Sequence, residues 1–381
     1  MLILFGDKSF TNFKIPDETM IEKMIGQGRA PIFKAIYALV KNRKTAMMTA
    51  VMIGFSMIKF MKNSLESYML LRQFEPMVMR KFFTCLSLII SCMVAEDNTL
   101  YILHTNNTNG ALENCYCPDH PYGAIEKRSV FINTFIKENP NTIIVDAGDF
   151  FSVTKRPFLD SLIIDAYISL PYDAVLAGDQ ELSRENLSQY TKKLNYPLLV
   201  ANLTDHDELG LKRNVIIKRG GYRVGIIGIV HPSVFRFYPE EIKERIELEN
   251  SEEIIRTFIN DFSDSVDVII ALTHQGHDKD ELLAESISGL DIIVGSHSQT
   301  KLDSGDVVNE SLIVQAGKEG YYVGIINIQF DDDKKIISKS AKIKTMTLDM
   351  LDDPYIMKLI NSYEQETGHI NRNKLKHQNP K

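Results

Sequence analysis

The sequence predicts a layered α/β fold over residues 99–345. Two observations carry that expectation. From Asn98 onward, short β-branched runs alternate with polar stretches of helical length, the pattern of strands joined by crossover helices. Small residues beside Asp, Asn or His stand at the ends of these runs, where open α/β sheets place their ligand sites. The number of runs, and a strand-rich stretch late in the chain, point to two packed sheets flanked by helices.

Period and β-branching predict strands over 100–104, 142–145, 174–176, 198–200, 222–229, 266–272, 292–294, 312–315 and 322–330. Helices are expected over 125–138, 158–170, 184–194, 252–263 and 279–288, with a last polar helix over 353–373. The region 346–381 thus reads as a C-terminal helix and a basic, frayed tail. Arg219-Gly220-Gly221-Tyr222 is most simply a hairpin turn, and Asp331 to Lys335 closes a second hairpin. Lys127 and Arg128 fall in a helix, so ordinary surface charge is expected of them before any contact with an anionic substrate.

Residues 1–76 break the pattern, being rich in Met and Lys without strand–helix alternation. The apolar run 45–58 is short for a membrane span and reads as an interfacial or buried helix. Residues 77–98 carry a start-like Met, two cations (Arg80, Lys81), a short apolar run and small residues, the layout of a secretory signal. Ile89-Ile90-Ser91-Cys92 also resembles a bacterial lipobox, which implies lipidation of Cys92. The expectation is export, to a periplasmic or membrane-anchored lipoprotein location. Translation is expected to begin at Met77 or Met79, leaving 1–76 as an upstream extension. A net charge of -7 leaves no broad basic face, which argues against a nucleic-acid partner. All four cysteines lie at or before Cys117, so no disulfide framework holds the fold.

The run 142–145 leads into Asp146-Ala147-Gly148-Asp149. Four more runs end in comparable turns: Thr105 to Gly110, Ala177 to Glu181, Thr273 to Asp278, and Gly295 to Gln299. A lone acid there often caps a helix, and a lone His often only bonds its turn. Two Asp and two His in equivalent topological places (Asp149, Asp179, His274, His297) instead suit a divalent ion such as Zn, Mn or Fe.

These turns resemble the five motifs of the metallophosphoesterase domain of the 5′-nucleotidase and UDP-sugar hydrolase group, whose relatives include sulfate thiohydrolases. The resemblance spans roughly 99–345. Its motifs are Leu103-His104-Thr105-Asn106-Asn107-Thr108-Asn109-Gly110, Gly148-Asp149, Gly178-Asp179-Gln180-Glu181, Thr273-His274-Gln275-Gly276 and Gly295-Ser296-His297-Ser298-Gln299, with Ala201-Asn202 between the third and fourth. It implies a four-layer α/β/β/α sandwich. Many members add a C-terminal substrate-binding domain, and this chain is expected to end before one.

The resemblance also assigns ligands. One ion would be held by Asp149, Asp179, His274 and His297. The other would fall to Asn107, Asn109, Asp149 and Gln299, where the family has an Asp and a His in place of the two asparagines. A neutral amide offers only its carbonyl oxygen. One tight site and a second, weak or absent, are therefore expected. Gln180 and Ser183 stand where the family has its proton-donating His and the Asp that orients it. Gln does not titrate and cannot serve as general acid. His277 is a weak substitute candidate, more simply a helix-capping or surface His.

Cys115 and Cys117 follow the first motif. They suit a small, reducible disulfide, soft ligands for the weakened metal position, or sulfur or redox chemistry. The expectation is an exported, metal-dependent phosphoester hydrolase taking a small anionic substrate such as a phosphate ester. Two alternatives stand beside it: an inactive member that binds a ligand or partner, and a thiol-dependent sulfur-ester hydrolase using Cys115 and Cys117.

Overall fold

The computed structural model describes residues 98–117 and 120–369. The extension 1–76, the apolar run 45–58, the signal-like segment through Asp97 with Cys92, and the tail beyond His369 lie outside the described residues.

The chain runs β1 (Thr99–Thr105), α1 (Ile125–Glu138), β2 (Thr142–Asp146), α2 (Pro157–Ser169), β3 (Ala174–Leu176), α3 (Asp179–Leu182), α4 (Leu187–Thr191) and β4 (Leu198–Leu199). It continues through β5 (Asn214–Arg219), β6 (Tyr222–Val230), α5 (Glu240–Arg245), α6 (Ser251–Phe262), β7 (Val268–His274), α7 (His277–Ser286) and β8 (Ile292–Val294). It closes with β9 (Asp306–Val308), β10 (Ser311–Val314), β11 (Tyr322–Phe330), β12 (Ile336–Thr345) and α8 (Pro354–Thr367).

Two six-stranded sheets result, ordered β12-β11-β1-β2-β3-β4 and β5-β6-β7-β8-β10-β9. Strands β1 to β4 are parallel, as are β6, β7, β8 and β10. The edge pairs β11 and β12, β5, and β9 run antiparallel to their neighbours. The α/β expectation is met as a sandwich.

Side-chain alternation builds the layers. In the second sheet Val224, Ile226, Val268, Ile270, Leu272, Ile292 and Val294 join the larger core, with Leu100 and Ile102 of β1 and Ile143 of β2. Their neighbours Ile227, Ile229, Ile269, Ala271 and Ile293 face the other way, onto Ile255 and Phe258 of α6 and Leu283 and Ala284 of α7. Both faces of these central strands are buried, which is why their sequences read as continuous apolar runs. Each such side chain contributes about 1.5–3 kcal/mol through burial. The first sheet is covered by α1 and α2, with Leu159, Leu162 and Ile163 of α2 and Ile356, Leu359 and Ile360 of α8 in the same core.

Three expectations are corrected. The last helix ends at Thr367, not 373, because Gly368 turns left-handed (φ 65) and stops it. The expected helix 184–194 is shorter, Leu187–Thr191, and a separate short helix that the sequence reading lacked, Asp179–Leu182, precedes it. Arg128 and Lys127 are not surface charge. Arg128 is fully buried and donates from Nη1 to Thr108 Oγ1 at 2.9 Å and from Nη2 to Tyr167 Oη at 3.3 Å. Lys127 donates to Met350 O at 2.7 Å and pairs with Asp352 at 2.6 Å. Both hairpin turns form as expected, β5 to β6 and β11 to β12. No helix among the described residues is long and apolar enough to cross a membrane.

Candidate metal centre

The parallel strands of both sheets present their carboxyl ends to one place. Asp149 follows β2, Asp179 opens α3 after β3, His274 ends β7, and His297 follows β8. One ligand atom from each lies within 4.8 Å of all the others. His274 Nε2 is 2.7 Å from Asp179 Oδ1 and 3.4 Å from Asp149 Oδ2. His297 Nδ1 is 3.2 Å from Asp179 Oδ1 and 3.3 Å from His274 Nε2.

The chemistry of this donor set fits a divalent cation. His274 Nδ1 lies 2.6 Å from Ser296 Oγ and 3.3 Å from Ala147 O, atoms able to take its proton. With the proton there, Nε2 turns a lone pair into the group. Two imidazole nitrogens and two carboxylates then converge, an arrangement that a divalent cation satisfies. Burial disfavours charge on His274, yet Asp149 and Asp179 outweigh it and hold the imidazole well above its ordinary range. That inversion measures the negative potential of the cluster.

Local geometry builds the group. Asp149 takes a left-handed backbone (φ 60), as does His297 (φ 72), conformations uncommon for residues with a Cβ. Asp149 is pinned by Glu181, fully buried, whose Oε2 accepts from Asp149 N and Gly178 N at 2.9 Å and whose Oε1 accepts from Phe151 N at 2.8 Å. Burial, with the charge of Asp149 adding to it, pushes the Glu181 carboxyl up to about 8. Gly178 is required by close approach: a Cβ there would lie 2.5 Å from Asp149 Oδ1 and 2.8 Å from His274 Cε1. Tyr238 Oη donates to Asp179 Oδ2 at 2.6 Å, which leaves Oδ1 for the cluster. Below, buried Asp146 accepts from Thr105 Oγ1 at 2.5 Å and from Gly148 N at 2.8 Å, holding two of the turns together.

The remaining expected residues are placed differently. Asn107 (φ 46) donates from Nδ2 to Asp149 Oδ2 at 3.3 Å, and its Oδ1 accepts from Asn106 Nδ2 at 2.9 Å and His297 N at 3.1 Å. Asn109 (φ 54) accepts from Gln180 Nε2 at 2.8 Å, while Gln180 Oε1 is buried without a partner. Gln299 (φ 58) is exposed. Ser183 turns back on its own helix, donating to Gln180 O at 2.8 Å. Asn202 is spent on backbone: it donates to Val230 O at 2.8 Å and accepts from Val230 N at 3.1 Å. His277 starts α7 with Nε2 3.1 Å from Asp306 Oδ2, a second acid-bound site away from the four-residue group. Cys115 and Cys117 are joined as a disulfide and belong to neither group.

Tyr238 is a partner outside every motif, while Ser296 and Ala147 stand in the quoted turns without a role having been assigned to them. Tyr238 lies in an irregular stretch beyond β6, where no periodicity marks a residue as functional.

Comparison with known proteins finds similar chains and similar folds. A snake venom 5′-nucleotidase of Crotalus adamanteus is 26% identical over 329 residues, covering 75% of this chain and 54% of its own. An uncharacterised metallophosphoesterase of Bacillus subtilis, YunD, is 28% identical over 221 residues, covering 55% of this chain and 47% of its own. By these comparisons the chain is similar to metallophosphoesterases and 5′-nucleotidases. Among solved structures, a 5′-nucleotidase precursor from Thermus thermophilus superposes on this chain with a TM-score of 0.62 at 22% identity, covering 71% of this chain and 59% of that one. No family model matches. The chain spans about half the length of the curated relatives it matches.

Proposed function

We propose that this chain carries a metallophosphoesterase domain that hydrolyses a small phosphate ester at a single divalent-metal site, and that the protein acts after export. The convergence of Asp149, Asp179, His274 and His297 at the carboxyl ends of parallel strands from both sheets carries the reading. A divalent cation held by these four supplies Lewis-acid activation of the ester and charge stabilisation.

The protein's own residues do the rest. Ser296 and Ala147 fix the His274 ring, Tyr238 anchors Asp179, and Glu181 holds the Asp149 backbone. The second position is organised by amides. Asn107 donates to Asp149, and its carbonyl oxygen is already engaged by Asn106 and His297. This arrangement supports one ion rather than two. Gln180 binds Asn109 and offers a carbonyl oxygen to a substrate group that can donate. It carries no titrating proton, so the leaving group must depart without a general acid at that position. Such chemistry favours esters with good leaving groups.

The relatives' printed name, 5′-nucleotidase, makes a nucleotide monophosphate the natural probe. Export rests on the signal-like run before Ala95, with Cys92 as its candidate lipidation site. Turnover should be measured with an aryl phosphate and with a nucleoside monophosphate, each at added Zn, Mn or Fe. Release of phosphate that is abolished in Asp149→Ala supports the reading. Tight binding of these compounds without turnover in the metal-loaded wild type would replace it with a ligand-binding role.

A further inference from the structure

We propose that Cys115 and Cys117 form a thiol–disulfide exchange site that takes a small-molecule thiol, with Cys117 Sγ as the sulfur attacked and Cys115 as the leaving thiolate. The inference stands apart from the phosphoesterase reading and survives its failure.

The surroundings of the two sulfurs differ. Cys115 Sγ receives the backbone N–H of Cys117 at 3.2 Å, and the Tyr321 hydroxyl lies 3.7 Å away. Cys117 Sγ instead sits 3.7 Å from the carbonyl oxygen of Cys115. An N–H dipole favours negative charge on the first sulfur, and a carbonyl dipole opposes it on the second. Exchange proceeds fastest when the better-stabilised thiolate leaves. Both cysteines are half-buried, so a small thiol can reach them.

The ring that the disulfide closes contains one intervening residue, Tyr116, held left-handed at φ 49. A bulky L-residue takes that conformation only when its surroundings impose it. Asn114 takes part, since its Oδ1 accepts from Tyr116 N at 2.6 Å. Asn114 is in turn buried against Glu126, with its Nδ2 3.3 Å from Glu126 Oε1. Opening the ring therefore releases a constrained turn from a fixed base.

The step balances without a further reagent. A thiolate R–S⁻ attacks Cys117 Sγ, the S–S bond breaks, and its electron pair leaves on Cys115. A second R–SH, deprotonated, attacks the R sulfur of the mixed disulfide. It releases R–S–S–R and leaves both cysteines reduced as R–SH is oxidised. The site also touches the metal loop: Tyr321 Oη donates to Glu319 Oε2 at 2.5 Å, and Glu319 N donates to Asn107 O at 2.7 Å.

The test uses the wild-type protein after mild oxidation. It is exposed to a few millimolar glutathione, quenched in acid, alkylated, and read by peptide mass. The expected product carries glutathione on Cys117 and the alkyl group on Cys115, with the doubly alkylated form appearing as thiol is raised. In Cys115→Ser, loaded with oxidised glutathione so that one glutathione thiolate leaves as the Cys117 adduct forms, that adduct should persist after free thiol is removed. A disulfide that survives this treatment overturns the proposal, as does an adduct that forms on Cys115 or is shared equally.

Discussion

His104 sits in β1 opposite Gly324 in β11, where a Cβ on the glycine would overlap the imidazole. The ring is fully buried, its Nδ1 has no hydrogen-bond partner, and burial pushes its pKa down to about 3. The native state thus refuses a proton that the unfolded chain accepts below about pH 6.5. More protons on the unfolded state mean that stability falls as pH falls, across the window from about 6.5 to 3, by about 1.4 kcal/mol per unit. Urea denaturation at stepped pH should show this slope, and His104→Phe should flatten it. An unchanged slope in the variant would assign the acid loss elsewhere. Gly324→Ala should cost about 1–3 kcal/mol through overpacking against the same ring, read as a lowered midpoint at neutral pH. Nothing in the sequence marks His104 as a buried neutral group; only its pairing across the sheet reveals it. By contrast Asp149, Asp179, His274 and His297 were legible one by one, because each follows an apolar run whose direction fixes where it ends.

The turn after β2 and the start of α3 form the element on which the centre depends. Glu181 satisfies three backbone N–H groups there, those of Asp149, Gly178 and Phe151. Removing it in Glu181→Ala strands buried donors at about 1–3 kcal/mol each. Thermal melting should show a large loss, and titration with Zn or Mn should show weakened uptake as Asp149 loses its support. Retained melting temperature and uptake would remove Glu181 from this role. Tyr238→Phe tests the opposite side. It frees Asp179 Oδ2 and should weaken metal affinity about 10–100-fold, as losses of a ligand's supporting bond do, with little change in melting. The sequence showed the turns but not the bonds across them. Tyr238 reaches Asp179 from an irregular segment 59 positions away, a contact set by packing rather than by local pattern.

At the scale of the molecule, the central strands were legible and the edges less so. β6, β7 and β8 are buried on both faces and read as apolar runs. The strand β12 escaped because its sequence, IISKSAKIKT, alternates exposed Lys and Ser at the sheet edge, as exposed edge strands do. β9 is three residues long and largely exposed, and β5 is only half-buried beside β6. Arg128 was misread for a related reason: helical position was visible, but the polar cavity of Thr108 and Tyr167 that takes the guanidinium was not.

Two sheets bringing two carboxylates and two imidazoles together is the central claim, and metal content tests it most directly. Purified wild-type protein, equilibrated with Zn or Mn and freed of excess ion, should hold one divalent ion per chain by elemental analysis. Asp179→Ala and His297→Ala should hold none, and Asn107→Asp with Asn109→His should hold two. A wild type that keeps no ion, or that keeps its ion after both Asp179 and His297 are replaced, would contradict the account.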